Sequence, residues 1–208
     1  MSINIAVSKG RVLKEVMKLF SNSGYIFDDL NTRKLILKSQ DALINVIIVK
    51  ASDVPLYVDN SFAELGIVGN DVIGEYSNDF YELLNLNIGI CDLCIAAKKD
   101  FSLNNQNFLK IATKYPMQAK KYLKKSNRKG SIIKLNGSVE LGPLLGISDC
   151  ILDIVETGNT LKENNLFVKE KFKSINSIII ANKIYYKTKF KEIDEFINTI
   201  SNQMMEEC

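Results

Sequence analysis

The sequence predicts an α/β protein of two lobes with a cleft between them, and three observations carry that expectation. Short apolar, β-branched runs alternate with helix-patterned segments twice over, through residues 3–98 and again from 109 onward. A polar, asparagine-rich stretch at 100–107 separates the two series and reads as a crossing between lobes. After Leu166 two β-rich runs, 167–172 and 177–181, bring the chain back. The expected lobes are therefore 1–98 with 176–208, and 99–175.

The first series opens with Ile3-Asn4-Ile5-Ala6-Val7, an alternating strand, and a basic glycine turn at Ser8-Lys9-Gly10-Arg11. Val12, Leu13, Val16, Met17, Leu19 and Phe20 then fall on one face of a helix, which Gly24 closes at the C′ position. Lys9 and Arg11 thus sit at a strand-to-helix turn, where open α/β sheets bind ligands; a solvated basic turn is the plainer reading. Arg33-Lys34 precedes a short apolar run at 35–37, and the strand at 44–50 delivers Lys50 to its C-terminal end, a second pointer to an anionic ligand. Asp53 and Pro55 start a short helix, since proline is tolerated in a first turn. Residues 63–69 form the next strand and Asn70-Asp71-Val72-Ile73 the next turn, followed by a short helix over 79–86 and a strand over 88–98.

In the second series, 109–113 and 132–135 are strands, and Tyr115-Pro116 opens a helix between them. Asn136-Gly137-Ser138 has capping character ahead of a helix over 139–145. The cations Lys120, Lys121, Lys124, Lys125, Arg128 and Lys129 recur at helical spacing and read as a solvated helix face. A last amphipathic helix carries Phe190, Ile193, Phe196, Ile197, Ile200 and Met204; lobe packing is its plain use and an oligomer contact the alternative.

Composition narrows the chemistry. Net charge is +3 with both signs well mixed, so no basic field marks a nucleic-acid binder. No window is long and apolar enough to cross a bilayer and the first residues lack a signal-peptide pattern, which leads us to expect a cytoplasmic protein. There is no histidine among the 208 residues, which removes Ser-His-Asp and Cys-His catalysis and every histidine-ligated metal. Of four cysteines, Cys91 and Cys94 form a C-x-x-C on a predicted strand, where positions three apart face opposite ways. Buried free thiols fit better than a zinc pair.

The most informative stretch runs from Cys150 to Leu161. An apolar strand over 150–155 breaks into Thr157-Gly158-Asn159-Thr160, with Asp153 and Glu156 flanking the turn. Backbone N–H groups converging at such a turn bind anions, and Thr157 and Thr160 add hydroxyl donors. The two carboxylates suit a sugar diol or Mg²⁺ better than the phosphate, so the combination points to a phosphorylated ribose. A plain helix N-cap, with Asp153 as a salt-bridge partner, accounts for the same residues.

Several motifs in series add a resemblance. Lys9-Gly10-Arg11, Asp53-Val54-Pro55, Ala112-Thr113-Lys114-Tyr115-Pro116, Lys134-Leu135-Asn136-Gly137-Ser138-Val139-Glu140-Leu141 and the run 153–161 together closely resemble the ATP phosphoribosyltransferases, which catalyse the first step of histidine biosynthesis. The match extends from about residue 3 to about residue 185. The resemblance implies a two-lobed fold like the type II periplasmic binding proteins, with the active site in the inter-lobe cleft. It also implies the reaction of ATP with phosphoribosyl pyrophosphate to give phosphoribosyl-ATP and pyrophosphate. Lobe I then takes the nucleotide side and lobe II the phosphoribosyl side.

Carried over by that resemblance, the backbone and threonines of 157–160 (Thr157, Gly158, Asn159, Thr160) hold the 5′-phosphate, while Asp153 and Glu156 meet the ribose hydroxyls and Glu140 is a second acidic position. Lys9, Arg11, Lys50 and Asp71 fall on the ATP side, and Arg11 and Arg33 serve as the catalytic cations that face the triphosphate or the leaving pyrophosphate. Mg²⁺ is expected on the substrate phosphates, without a protein metal cage. The chain resembles the short form of the family, without a C-terminal regulatory domain. That form works with a regulatory subunit related to histidyl-tRNA synthetase, with a homodimer inside a hetero-oligomer. The competing expectation is a non-catalytic two-lobed binding or regulatory paralogue for a small phosphorylated ligand.

Overall fold

A computed structural model describes residues 2–28, 34–76 and 80–206. The chain divides into two units, 1–89 with 176–208 and the contiguous stretch 90–175.

Unit 1 begins β1 (Ile3–Ser8), α1 (Arg11–Asn22), β2 (Ile36–Lys38), β3 (Ile44–Val49), α2 (Val54–Asp59), β4 (Leu65–Gly69), α3 (Asn70–Ile73) and β5 (Tyr81–Asn85). Unit 2 holds β6 (Cys91–Lys98), β7 (Phe108–Thr113), α4 (Pro116–Lys125), β8 (Lys129–Lys134), α5 (Leu141–Leu144), β9 (Cys150–Val155), α6 (Asn159–Glu163) and β10 (Leu166–Ile175). The chain then returns to unit 1 as β11 (Ser177–Ala181), α7 (Lys183–Thr188) and α8 (Phe190–Glu206). Among the described residues the first sheet has the order β2-β3-β1-β4-β11-β5 and the second β10-β6-β9-β7-β8.

In unit 1, β1 lies parallel to both β3 and β4. It is covered on both faces, which is why it is apolar at nearly every position. Ile3, Ile5 and Val7 face a core built with Phe20 of α1 and Phe196 of α8, whose rings meet edge-on at 5.5 Å. Ala6 faces the opposite core, against Val54 and Val58 of α2. The buried Glu64 carboxylate ties this unit together: one oxygen lies 2.6 Å from Lys189 Nζ, and the other accepts the Asn4 N–H at 2.7 Å. In α8 the residues Ile193, Phe196 and Ile200 are buried, so the amphipathic face serves packing within the unit.

Several expectations need correction. The stretch expected as a helix over 79–86 is strand β5, where described. Leucine and glutamate favour helix locally, but pairing with β11 overrides that preference. The boundary falls after Gly89 instead of after 98, because β6 sits between β9 and β10 of the second sheet. Its polar successor at 100–107 is a surface connection within unit 2, with Leu103 buried, and not the crossing between lobes. The basic run leaves helix at Lys125, and Lys129 opens β8. Arg128 donates to the Tyr122 hydroxyl at 2.7 Å, which donates to Glu170 at 2.8 Å, so it belongs to a half-buried network and not to a solvated face. Burial, reinforced by that bond to Glu170, lifts the Tyr122 phenol well above its ordinary range. Finally, α5 is shorter than expected and no side-chain hydrogen bond caps it; Asn70–Ile73 is a helical turn.

Candidate active site

In unit 2, β7 pairs in parallel with β8 and with β9, so the three strands end on one sheet edge. Buried Thr113 joins two of those ends: its hydroxyl donates to the Leu152 carbonyl at 2.6 Å and accepts the Tyr115 N–H at 2.8 Å. The β7 end is thereby locked to β9, and the turn into α4 is set before Pro116.

Glu140 enters the same edge through close packing. Gly142 carries no side chain where α5 meets the sheet, and a β-carbon there would stand 2.5 Å from Ser148 Oγ and 2.8 Å from Ala112 Cβ. Val139, fully buried beside Ala112, Ile151 and Leu161, pins the residue before Glu140. One small apolar cluster thus supports both sides of the site.

After β9 the chain turns at Gly158 with φ 75° and ψ 5°, the left-handed conformation that favours glycine. Lys162 N–H then bonds the Gly158 carbonyl at 3.1 Å and α6 begins. The first N–H groups of a helix have no partner within it, so the loop presents backbone donors. With only five residues α6 has little macrodipole, so what the turn can offer an anion is its N–H donors, of which the Asn159 N–H meets Thr157 Oγ1 at 3.5 Å. Glu140 and residues 153–161 line a cavity of about 310 Å³. Asp153, Gly158 and Glu140 are half-buried in it, while Glu156, Thr157, Asn159 and Thr160 are exposed. Three carboxylates, those of Glu140, Asp153 and Glu156, therefore line the same cavity as the amides and hydroxyls of the loop. The structure brings together all seven residues expected at the phosphoribosyl site.

Unit 1 repeats the arrangement. β3, β1 and β4 are parallel neighbours, so the turns after them share an edge: Lys9 and Arg11 after β1, Lys50 after β3, Asp71 in α3 after β4. Lys9 N–H bonds the Val49 carbonyl at 2.9 Å and closes the first two turns together. Asp71 is buried, whereas Lys9, Arg11 and Lys50 are exposed. Arg11 Nε lies 3.2 Å from Glu15 Oε1, a partner the sequence reading did not single out although the i,i+4 spacing was visible. Arg33 lies outside the described residues.

Two of the cysteines, Cys94 and Cys150, are poor nucleophiles. Burial, with Asp149 adding to it, pushes the Cys150 thiol up to about 12, and burial also raises Cys94. Among the described residues no group of three or more Asp, Glu, Cys or His side chains is placed to hold a metal ion.

The family profile described as HisG: ATP phosphoribosyltransferase matches residues 50–202. The chain belongs to the ATP phosphoribosyltransferase family. The ATP phosphoribosyltransferase of Oceanobacillus iheyensis is 46% identical over 201 residues, 96% of this chain and 97% of that protein. That of Clostridioides difficile is 46% identical over 197 residues, 94% and 95% of the two chains. Among solved structures, an ATP phosphoribosyl transferase (HisG:HisZ) complex from Thermotoga maritima matches with a TM-score of 0.83 and 30% identity, over 98% of this chain and 99% of that one. The periplasmic aliphatic sulphonate binding protein SsuA from Escherichia coli matches at TM-score 0.65 and 12% identity, over 98% of this chain and 72% of that one, and shares the fold alone. The fold is thus of the periplasmic-binding-protein type, as the resemblance implied. This phosphoribosyltransferase is an enzyme of the first step of histidine biosynthesis, and the non-catalytic alternative is not favoured.

Proposed function

We propose that this ATP phosphoribosyltransferase binds phosphoribosyl pyrophosphate in the 153–161 cavity and ATP at the β1, β3 and β4 turns, and joins C1 of the ribose to N1 of the adenine. The carrying observation is the single cavity in which a glycine turn and three carboxylates meet. Backbone amides and the hydroxyls of Thr157 and Thr160 donate to the 5′-phosphate. Asp153 and Glu156 accept from the ribose hydroxyls, with Glu140 beside them. Lys9, Arg11, Lys50 and Asp71 meet the nucleotide, and Arg33 completes the cationic set.

N1 of adenine has a lone pair at neutral pH, so no protein base is needed to start the attack. The N1–C1 bond forms as the C1–O bond breaks, and the electron pair leaves with pyrophosphate. Rate then comes from alignment and from cations that meet the departing charge. A site without histidine can supply both. Mg²⁺, a hard cation that takes oxygen ligands and keeps waters, would be carried by the substrate phosphates and would supply charge neutralisation for the leaving group, with no protein cage among the described residues.

We read the chain as working in the cytoplasm, as a homodimer within a hetero-oligomer whose other subunit is related to histidyl-tRNA synthetase. What supports a partner is the complex in which the similar Thermotoga maritima chain was solved. The test is formation of phosphoribosyl-ATP from ATP, phosphoribosyl pyrophosphate and Mg²⁺, with pyrophosphatase added, by the chain alone and with that subunit. Turnover in either mixture supports the reading, and silence in both defeats it.

A further inference from the structure

We infer that Glu15 is a positioning residue for Arg11, orienting its guanidinium at the β1–α1 turn and anchoring it to the backbone where the chain leaves unit 1. The inference rests on the proposed role of Arg11 toward the nucleotide. Glu15 Oε1 lies 3.2 Å from Arg11 Nε, and Oε2 accepts the Gly89 N–H at 3.3 Å. One carboxylate therefore joins the first residue of α1 to the last residue of unit 1 before Ile90.

Contact through Nε matters because a guanidinium is a rigid planar fork. Holding Nε sets the plane in which the four Nη N–H donors lie. An arginine side chain is costly to immobilise, and one oriented before substrate arrives binds its anion with less entropic loss.

The anchor is itself held. Leu86 N–H donates to the Ser177 carbonyl at 2.9 Å, Ser177 N–H to the Ile88 carbonyl at 3.0 Å, and Asn176 Nδ2 to Asn87 Oδ1 at 3.2 Å. The returning strand thus fixes the 86–89 segment. The other crossing point is joined to a turn directly through the backbone, since Asn70 N–H donates to the Asn176 carbonyl at 3.0 Å, one residue before Asp71. Two of the turns assigned to the nucleotide are hydrogen-bonded to the points where the chain passes between units. The Arg11–Glu15 pair is 46% and 40% exposed, so it contributes little to stability, and its removal separates positioning from folding.

The experiment is steady-state kinetics on the active enzyme as wild type, Glu15→Gln, Arg11→Ala and the double variant, varying ATP and phosphoribosyl pyrophosphate separately and measuring Tm. Glu15→Gln is expected to raise KM for ATP about three- to ten-fold, the scale of one oriented charged contact, with KM for phosphoribosyl pyrophosphate and Tm essentially unchanged. In the Arg11→Ala background it is expected to add nothing. An equal effect in both backgrounds, or an impaired Arg11→Ala beside a normal Glu15→Gln, overturns the inference alone. A normal KM for ATP in Arg11→Ala overturns the reading of the turn, and the inference with it.

Discussion

At Gly158 the backbone adopts φ 75°, which costs a residue with a β-carbon about 1–2 kcal/mol. The nearest atom to an added β-carbon would be Val155 Cγ1 at 3.8 Å, so Gly158→Ala meets strain without a clash. It should lower Tm by a few degrees and raise KM for phosphoribosyl pyrophosphate while leaving KM for ATP in place. Asp153→Asn and Glu156→Gln remove charge at the ribose with little change of shape; each should cut kcat/KM for phosphoribosyl pyrophosphate by about 10²-fold, with an unchanged far-UV spectrum. Normal turnover in both would remove these carboxylates from the site. The Cys150 thiol makes a pH statement. Its folded value of about 12 lies above the ordinary 9, so its stabilising effect is whole below pH 9 and is lost as pH rises from 9 toward 12, where the unfolded chain gains the thiolate. Thermal melts of wild type and Cys150→Ala should converge over that window. The 153–160 loop was legible in the sequence because its donors and carboxylates are contiguous. Thr113 was legible only as part of a motif, since its bond to Leu152 spans 39 residues and exists only once β7 and β9 pair.

Among the elements, strong patterns read correctly and contested ones did not. β1 and β9 are apolar runs ended by glycine turns, and both are strands with the expected turn after them. Tyr81 to Asn85 has adjacent leucines and no alternation, and only β11 makes it a strand. Tertiary links of this kind carry the testable energetics. Thr113→Val keeps the shape but strips two hydrogen bonds from a fully buried position, and should cost about 1–3 kcal/mol, read as a lower Tm together with reduced activity. Lys189→Met would strand the Glu64 carboxylate, 7% exposed, against the Asn4 amide alone. Lys189 keeps 21% of its surface in water, which places the expected loss near the lower end, about 3 kcal/mol, by denaturant unfolding. Adding Glu64→Gln should recover part of it.

The molecule as a whole is one unit interrupted by another. The sequence showed two series and a return, but it located the break by polarity, at 100–107, whereas strand pairing locates it after Gly89. Within Ile88 to Lys98 the change of sheet is marked only by Gly89, which adopts φ 66° between apolar neighbours that read as one continuous strand. The contiguous stretch 90–175 has its own sheet and core, with Leu93, Ile95, Leu109, Ile111 and Tyr122 at its centre, and should fold alone with a cooperative melt. A chain cut after residue 175 should not fold its first unit, since β11 lies between β4 and β5. On the ribosome that arrangement sets a schedule. The first 89 residues emerge with the flank of β4 bare, and they wait while the whole of the inserted unit is translated, roughly ten seconds at ordinary elongation rates. During that interval an apolar strand edge stands open to solvent and to neighbouring nascent chains, so the yield of this enzyme in the cell depends on how that edge is sheltered until residue 177 arrives.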